Sequence, residues 1–196
     1  MDNKGYNKSK QVAVEYRLAD EKLADELQVK SDDWFKTLTR DEKESIKDYT
    51  DTYYARINKY LRGEDISEYF DDYYTKKDLE KTIENLDSAL SKLKLNENIT
   101  FYRGVSREEL EYLKTFDTLK AYTSLTTDKD NVAKDFAEYN GGNNGTVVKF
   151  NIPRGFRGGY IGTNSYYSDE KEFLLLRNSK YSIKFLNESW EVTVND

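Results

Sequence analysis

The chain has 196 residues and a formal net charge of -6 at pH 7, and it contains neither histidine nor cysteine. The lack of imidazole and thiol groups excludes the usual zinc sites, the Ser-His-Asp triad and disulfide frameworks, leaving carboxylates, arginines, hydroxyls and tyrosines for any catalysis. The acidic balance argues against a non-specific nucleic-acid binder, since phosphate neutralisation needs a net basic surface, so a protein or small molecule is the expected partner.

The length suits one domain, residues 1–196, that is large enough to bury a core. Its character changes near residue 96, because the first half has helical patterns and few glycines, whereas the second half alternates and carries most of the glycines. We therefore expect an α+β fold, with residues 1–95 mainly helical and residues 96–196 mainly β. No apolar run approaches the length of a membrane span, and Met1-Asp2-Asn3-Lys4 lack the apolar core of a signal peptide.

Two helices are predicted in the first half. The first begins at a capping box over residues 39–42, and the apolar and aromatic residues after it recur at helical spacing up to Gly63, a typical C-terminal stop. This helical region has room for one break. The second covers residues 75–93, where leucines and an isoleucine recur every three and four residues.

The second half is predicted to contain short helices over residues 106–113 and 128–137 and a series of strands. The predicted strands cover residues 99–103, 119–124, 146–152, 160–161, 171–177, 181–186 and 190–194. The dipeptides Asn178-Ser179 and Asn187-Glu188 are typical of hairpin turns and are expected to join the last three strands.

Glu170-Lys171-Glu172 is the most informative tripeptide, because it follows an aromatic loop and enters an apolar stretch. On a strand, its two carboxylates would face the same side about 6.6 Å apart, so both could act on one substrate. The tripeptide alone proves little, since Glu42-Lys43-Glu44 repeats it inside a helical pattern, where residues two apart do not face each other. A functional role for the tripeptide therefore depends on its position and on the motifs near it.

Three segments of the second half occur in an order that resembles the arginine, Ser-Thr-Ser and Glu-x-Glu motifs of bacterial mono-ADP-ribosyltransferase toxins. Upstream, residues 53–62 resemble the helix that helps to bind NAD in clostridial Rho-modifying exoenzymes and iota-type actin-modifying binary toxins. Downstream, residues 159–161 resemble the strand before their target-recognition loop. The three motifs read Phe101-Tyr102-Arg103-Gly104, Tyr122-Thr123-Ser124-Leu125-Thr126 and Tyr167-Ser168-Asp169-Glu170-Lys171-Glu172.

The resemblance implies a helical N-terminal half packed on a core of two twisted, mostly antiparallel sheets. It implies an enzyme that uses NAD as co-substrate, without a metal, and that moves ADP-ribose to an arginine of a host protein while releasing nicotinamide. Glu-x-Glu accompanies arginine acceptors in this family, and Glu170 resembles the actin-modifying toxins, so actin is the favoured target. A single lobe without an adaptor domain resembles the Rho-modifying exoenzymes instead. The chain would then be a secreted effector or toxin acting in the host cytosol, with delivery by a separate translocation component left open.

Four residues are assigned to catalysis. Arg103 ends a strand and is suited to a phosphate, because its planar fork donates two parallel hydrogen bonds; the resemblance makes that phosphate part of NAD. Ser124 would orient Glu172, and Glu172 would grip the ribose hydroxyl and stabilise the positive charge that develops on the ribose. Glu170 would orient the acceptor and take its proton.

Other positions are assigned to NAD binding. Tyr54, Asn58 and Arg62 lie four residues apart and would present one aromatic and two polar groups along one helix face. The resemblance places Phe136 near the nicotinamide, with simple core packing as the alternative. Gly104 has no side chain, so it could bring backbone donors close to the nicotinamide amide.

Tyr167 corresponds to an aromatic residue that contacts the target protein in these toxins, and Glu170 shares that target-recognition role. Two departures from the family pattern matter: Leu125 and Thr126 replace the last two residues of Ser-Thr-Ser, and Tyr139 stands where relatives often carry an arginine that contacts NAD. Two other readings therefore stay open. One is an NAD glycohydrolase or a transferase to another acceptor, and the other is a catalytically silent domain that binds NAD or protein.

Overall fold

The computed structural model describes residues 14–195. The N-terminal residues Met1 to Lys4, on which the signal-peptide argument rests, lie outside this range. Within residues 14–195, none of the helices combines the length and the apolar composition that crossing a membrane requires.

The helices of the described range fall mostly in the first half, as predicted. Their bounds are α1 Glu21–Thr37, α2 Arg40–Asp48, α3 Tyr54–Arg62, α4 Lys76–Ser91, α5 Arg107–Thr115 and α6 Lys134–Gly141. A π-helical turn, Tyr49–Tyr53, joins α2 to α3, and another, Lys129–Ala133, leads into α6.

Local capping sets the ends of the predicted helices. The hydroxyl of Thr39 accepts a hydrogen bond from the Glu42 backbone N–H at 3.2 Å, and the Glu42 carboxylate accepts one from the Thr39 N–H at 2.8 Å. Gly63 ends α3 with φ of 81°, a conformation that a glycine adopts without a steric penalty. The predicted capping box, single break and stop are therefore confirmed. Thr75 caps α4 in the same way as Thr39 caps α2.

The strands of the described range are β1 Arg17–Leu18, β2 Ile99–Val105, β3 Thr118–Leu119, β4 Thr123–Thr126, β5 Thr146–Ile152, β6 Gly158–Tyr160, β7 Glu172–Leu175, β8 Ser179–Leu186 and β9 Ser189–Asn195. They pair into one mixed, nine-stranded sheet with the order β3-β8-β9-β5-β2-β4-β7-β6, and β1 joins β2 in parallel. Only one residue pair, Tyr102 with Thr126, links β2 to β4, so two smaller sheets meet at that point. The predicted α+β class with a helical N-terminal part is confirmed.

One of the two predicted hairpins is correct. Asn187 and Glu188 both adopt positive φ, 47° and 61°, and turn β8 back onto β9, as a two-residue hairpin requires. The hairpin predicted at Asn178-Ser179 is wrong, because β7 pairs with β4 and β6, whereas β8 pairs with β3 and β9. Asn178, with φ of 62°, turns the chain away from β7 towards the other end of the sheet.

The bounds of several predicted strands were also wrong. The strand predicted over residues 160–161 is β6, which covers Gly158–Tyr160. The strand predicted over residues 119–124 is divided into β3 and β4, which pair with different neighbours. The strand predicted over residues 171–177 begins only at Glu172 and ends at Leu175. No strand was predicted before residue 96, but β1 lies in that half of the chain and pairs with β2.

Two apolar cores hold the helices against the sheet. One includes the inner residues of β2, β5 and β9 with the first half of α1, and the other gathers α2, α3, α4 and the second half of α1. The rings of Phe101 and Phe173, both fully buried, stack at 4.4 Å and join the two smaller sheets. Asp87 of α4 accepts hydrogen bonds from Tyr122 and Arg177 and so ties the helical core to the sheet.

Candidate active site

Glu172 is the first residue of β7 and is buried in the sheet, opposite Thr126 of β4. The pKa of its carboxyl is raised to about 7, because burial and the Glu170 carboxylate raise it by more than the Ser124 side chain and Arg103 lower it. The structure thus brings together the four residues that were assigned to catalysis. A buried carboxyl with a pKa near neutrality is common at catalytic sites.

Glu170 does not lie on a strand, so the prediction of two carboxylates on one strand face is wrong. It ends a short turn, Ser168–Glu170, and the next residue, Lys171, adopts a left-handed conformation with φ of 47° before β7 begins. The Glu170 carbonyl accepts a hydrogen bond from the Thr126 hydroxyl at 2.8 Å. Burial raises the pKa of the Glu170 carboxyl as well.

Lys171, between the two glutamates, pairs with a third carboxylate. Its ammonium lies 3.2 Å from Asp128, whose carboxylate also caps the turn before α6 by accepting from the Asn131 N–H at 3.0 Å. The pKa of Asp128 is lowered, because these hydrogen bonds outweigh the effect of its burial. Lys171 therefore fastens the turn to the α6 segment, which we define as residues 129–141, and does not pair with Glu170 or Glu172.

Arg103 joins the two smaller sheets at the site. Its guanidinium donates to the Glu109 carboxylate at 2.7 Å and to the Ser124 carbonyl at 2.7 Å. Burial opposes its charge, but Glu109 outweighs burial and the pKa of Arg103 is raised. A phosphate at Arg103 would share the guanidinium with Glu109, a residue that the sequence did not indicate.

The residues predicted on one face of α3 do lie on that helix. Tyr54 is exposed, and Arg62 pairs with Glu64 at 2.6 Å. The Asn58 amide nitrogen donates to the Tyr49 hydroxyl at 3.1 Å, which leaves the buried amide oxygen of Asn58 with no partner among residues 14–195. An unpaired buried acceptor is costly, so it suits a ligand that donates a hydrogen bond.

Tyr49 is a site residue that sequence reasoning placed only in a helical apolar pattern. It lies in the π-helical turn before α3 and is buried. Burial and the Glu172 carboxylate raise the pKa of its hydroxyl, whereas Asn58, Arg103 and Arg62 lower it. Tyr49 therefore connects the α3 face to the buried carboxylate, a role that no signal in the sequence indicated.

A cleft with a volume of about 570 Å³ opens beside Glu170. One wall is the α6 segment, including Phe136 and Tyr139, and the other is the loop of residues 166–170, including Tyr166 and Tyr167. All four aromatic rings are exposed, so Phe136 lines this cleft and the core packing that was its alternative is wrong. Among residues 14–195, no group of acidic side chains is arranged to hold a metal ion.

Gly104 permits a close approach between β2 and α6. A Cβ atom there would clash with the Ala133 carbonyl and the Ala137 amide of the α6 segment. The missing side chain therefore makes room for the helix that carries Phe136. Contact between the Gly104 backbone and nicotinamide stays a prediction.

The arrangement suits chemistry at a sugar carbon that becomes positively charged. The buried Glu172 can stabilise that charge, the half-buried Glu170 can accept a proton, and Arg62 and Arg103 offer cations to an anionic ligand. An aromatic cleft beside Glu170 leaves room for a second substrate.

Comparisons with known proteins agree with this geometry. The family model described as ADP-ribosyltransferase exoenzyme matches residues 28–195. The chain is 41% identical over 170 residues to the NAD(+)--arginine ADP-ribosyltransferase EFV of Enterococcus faecalis. The match covers 86% of this chain and 34% of the relative. This chain thus spans about a third of that relative's length.

Two solved structures are similar in fold. Plx2a, an ADP-ribosyltransferase toxin from Paenibacillus larvae, is 25% identical with a TM-score of 0.67, over 94% of this chain and all (100%) of Plx2a. The ADP-ribosyltransferase Vis from Vibrio splendidus, in complex with agmatine, is 28% identical with a TM-score of 0.58, over 89% of this chain and 85% of Vis.

Proposed function

The chain belongs to the ADP-ribosyltransferase exoenzyme family, and on that premise we propose that it moves ADP-ribose from NAD to an arginine of a host protein and releases nicotinamide. The observation that carries this proposal is the buried Glu172 carboxyl, with a pKa of about 7, beside a second carboxyl at the wall of an open cleft. Support for arginine comes from the relative EFV, which is named for that acceptor, and from Vis, described in complex with the arginine mimic agmatine.

Glu172 acts on the ribose that is attacked. Its carboxylate accepts a hydrogen bond from a ribose hydroxyl, and its negative charge stabilises the positive charge that develops as the bond to nicotinamide breaks. Because the group is buried, this charge acts through a lower dielectric than water and has a larger effect. Ser124 favours the ionised form and so keeps the carboxylate ready.

Glu170 acts on the acceptor. A guanidinium has a pKa above about 12, so it needs a base as the new bond forms. Partial burial raises the pKa of Glu170, which makes it a stronger base than an exposed glutamate. Its place at the wall of the cleft leaves room for an acceptor arginine beside it.

The NAD co-substrate binds across α3 and β2. Arg62 and Arg103 supply cations for the diphosphate, and the open amide oxygen of Asn58 accepts a hydrogen bond from the nucleotide. Tyr54 offers an exposed ring on the same helix, and Phe136 forms a wall beside the nicotinamide.

The proposal also covers where the protein acts. We assign the chain to a secreted toxin that modifies a protein in the host cytosol, with support from the description of Plx2a as an ADP-ribosyltransferase toxin. Delivery by a separate translocation component stays a prediction. Actin as the target also stays a prediction, since none of the relatives described above is named for actin.

The test separates transfer from NAD cleavage. Purified protein receives NAD and agmatine, and both ADP-ribosyl-agmatine and free nicotinamide are measured. In Glu170→Gln, transfer should fall by at least about 100-fold while nicotinamide release stays within about threefold, because only the acceptor loses its base. The matched control is Glu44→Gln, which removes an exposed glutamate from the other Glu-Lys-Glu tripeptide.

Each alternative reading predicts another result. Nicotinamide release by the wild type without ADP-ribosyl-agmatine would indicate a glycohydrolase or another acceptor. Absence of both products, with a melting temperature that NAD leaves unchanged, would indicate a silent domain that does not bind NAD, since a ligand of the folded state raises that temperature.

A further inference from the structure

The cleft beside Glu170 has a second wall, of which the proposed reaction uses only Phe136. Val132, Asp135, Phe136 and Tyr139 follow one another at helical spacing, so all four point from the α6 segment into the cleft. Tyr139 is 89% exposed, although it is a large aromatic side chain. Exposed aromatic rings that share a cleft commonly mark a binding surface.

The charges in this cleft have one sign. Asp135, Asp169 and Glu170 line it, and its lining includes no lysine or arginine. The lysines nearest to these residues in the chain are engaged elsewhere: Lys134 lies 3.0 Å from Asp130, and Lys171 lies 3.2 Å from Asp128. Such a surface repels a diphosphate and attracts cations, both through the carboxylates and through the faces of the aromatic rings.

We propose that the α6 wall binds a second positively charged side chain of the protein substrate, next to the acceptor arginine. The inference rests on the proposed function, in which Glu170 on the opposite wall takes the acceptor arginine. Asp135 and the ring of Tyr139 are then left for another cation. The substrate class is therefore an arginine in a basic segment, rather than any exposed arginine.

Pairs of short peptides test this inference. Each peptide carries one arginine, and the two members of a pair differ only by lysine or glutamine at one position within three residues of it. ADP-ribosylation of each peptide is measured as kcat/KM, together with the KM for NAD. In at least one pair, lysine should raise kcat/KM by about fivefold, the size expected for one partly exposed ion pair with a cation–π contact.

Variants of α6 locate the effect. Asp135→Asn should remove the preference for lysine, whereas Glu138→Gln, which removes an exposed carboxylate of α6 outside the cleft, should retain it. Tyr139→Phe keeps an aromatic face and should retain most of the preference, while Tyr139→Leu should reduce it about twofold or more. The KM for NAD and the melting temperature should stay unchanged in all of these variants.

The outcomes that overturn the inference differ from those that overturn the function. Equal rates for lysine and glutamine peptides in every pair would contradict it, as would a preference that Asp135→Asn leaves intact. In either case, continued transfer to agmatine would leave the proposed function standing. If the wild type modifies neither agmatine nor any peptide, the proposed function is wrong and this inference is wrong with it.

Discussion

The tripeptide Glu-Lys-Glu occurs at residues 42–44 and at residues 170–172, and each copy contains one buried glutamate. Glu42 is 4% exposed and Glu172 is 5% exposed, so both side chains are shielded from solvent. Their pKa values nevertheless shift in opposite directions, to about 2 for Glu42 and about 7 for Glu172.

The two glutamates differ in depth and in partners, because Glu172 lies on a buried strand of the sheet whereas Glu42 lies on a helix beside the partly exposed Lys92. Burial alone would raise the pKa of Glu42, but its carboxylate accepts hydrogen bonds from Lys92 at 2.6 and 2.7 Å, from Ser88 at 2.6 Å and from the Thr39 N–H at 2.8 Å. Ser124 and Arg103 lower the pKa of Glu172, but a second carboxylate, Glu170, raises it. One site is satisfied and stabilises α2 against α4, whereas the other holds a charge that is costly until substrate binds.

The largest expected difference between the two buried glutamates is in the rate of NAD cleavage after substitution. Glu172→Gln should reduce nicotinamide release from NAD by about 100- to 1000-fold, because a neutral amide cannot stabilise the charge that develops on the ribose. Glu42→Gln, at the matching place in the other tripeptide, should keep wild-type turnover at a temperature where it remains folded. Wild-type cleavage in Glu172→Gln would show that the catalytic assignment is wrong.

The same two substitutions should change stability in opposite directions. The folded-state pKa of Glu172 is raised above the ordinary value of 4.5, so its stabilising contribution is present below pH 4.5 and is lost as pH rises through about 7. At pH 8, Glu172→Gln should therefore raise the free energy of unfolding by up to about 3 kcal/mol. At pH 4.5 the two proteins should be nearly equal.

For Glu42 the sign is reversed. Its folded-state pKa is lowered, so its contribution is present above pH 4.5 and is lost as pH falls through about 2. Glu42→Gln should lower the free energy of unfolding at pH 8 by about 3 kcal/mol. Urea denaturation of both variants at pH 4.5 and 8 measures these changes, and a loss of stability in Glu172→Gln at pH 8 would contradict the comparison.

The two tripeptides also show which features the sequence could predict. The capping box at Glu42 depends on residues three apart, so its pattern was sufficient. The geometry at Glu170 depends on the hydroxyl of Thr126 and on the left-handed Lys171, which come from contacts far apart in the chain. A strand pattern could not reveal that turn, although the motif order did point to four residues that the structure brings together at one site.

The two predicted hairpins teach the same lesson. Asn187-Glu188 joins neighbouring strands, and its local turn signal was enough. Asn178-Ser179 has an equally good turn signal, but the strands on either side of it pair with partners elsewhere in the sheet. Tyr49 was hidden for a related reason, because a tyrosine in a helical apolar pattern gives no sign that its hydroxyl reaches Asn58.

The smallest expected effect concerns the neighbours that set the pKa of Glu172. Because the ionised carboxylate is the active form, kcat/KM for NAD cleavage should rise with pH, with a midpoint near 7, and level off at higher pH. Glu170 raises this pKa and Ser124 lowers it, so Glu170→Gln should move the midpoint to lower pH and Ser124→Ala should move it to higher pH.

At pH 6 we expect these shifts to change the rate by about two- to threefold in opposite directions. Well above its own midpoint, the rate of each variant should no longer change with pH. Glu44→Gln should leave the profile unchanged, since Glu44 is exposed and pairs with Arg40 on the surface of α2. A common shift in both active-site variants would mean that packing, rather than charge and hydrogen bonding, controls Glu172. Opposite shifts would show that the second carboxylate is what makes this Glu-Lys-Glu differ from the one at residues 42–44.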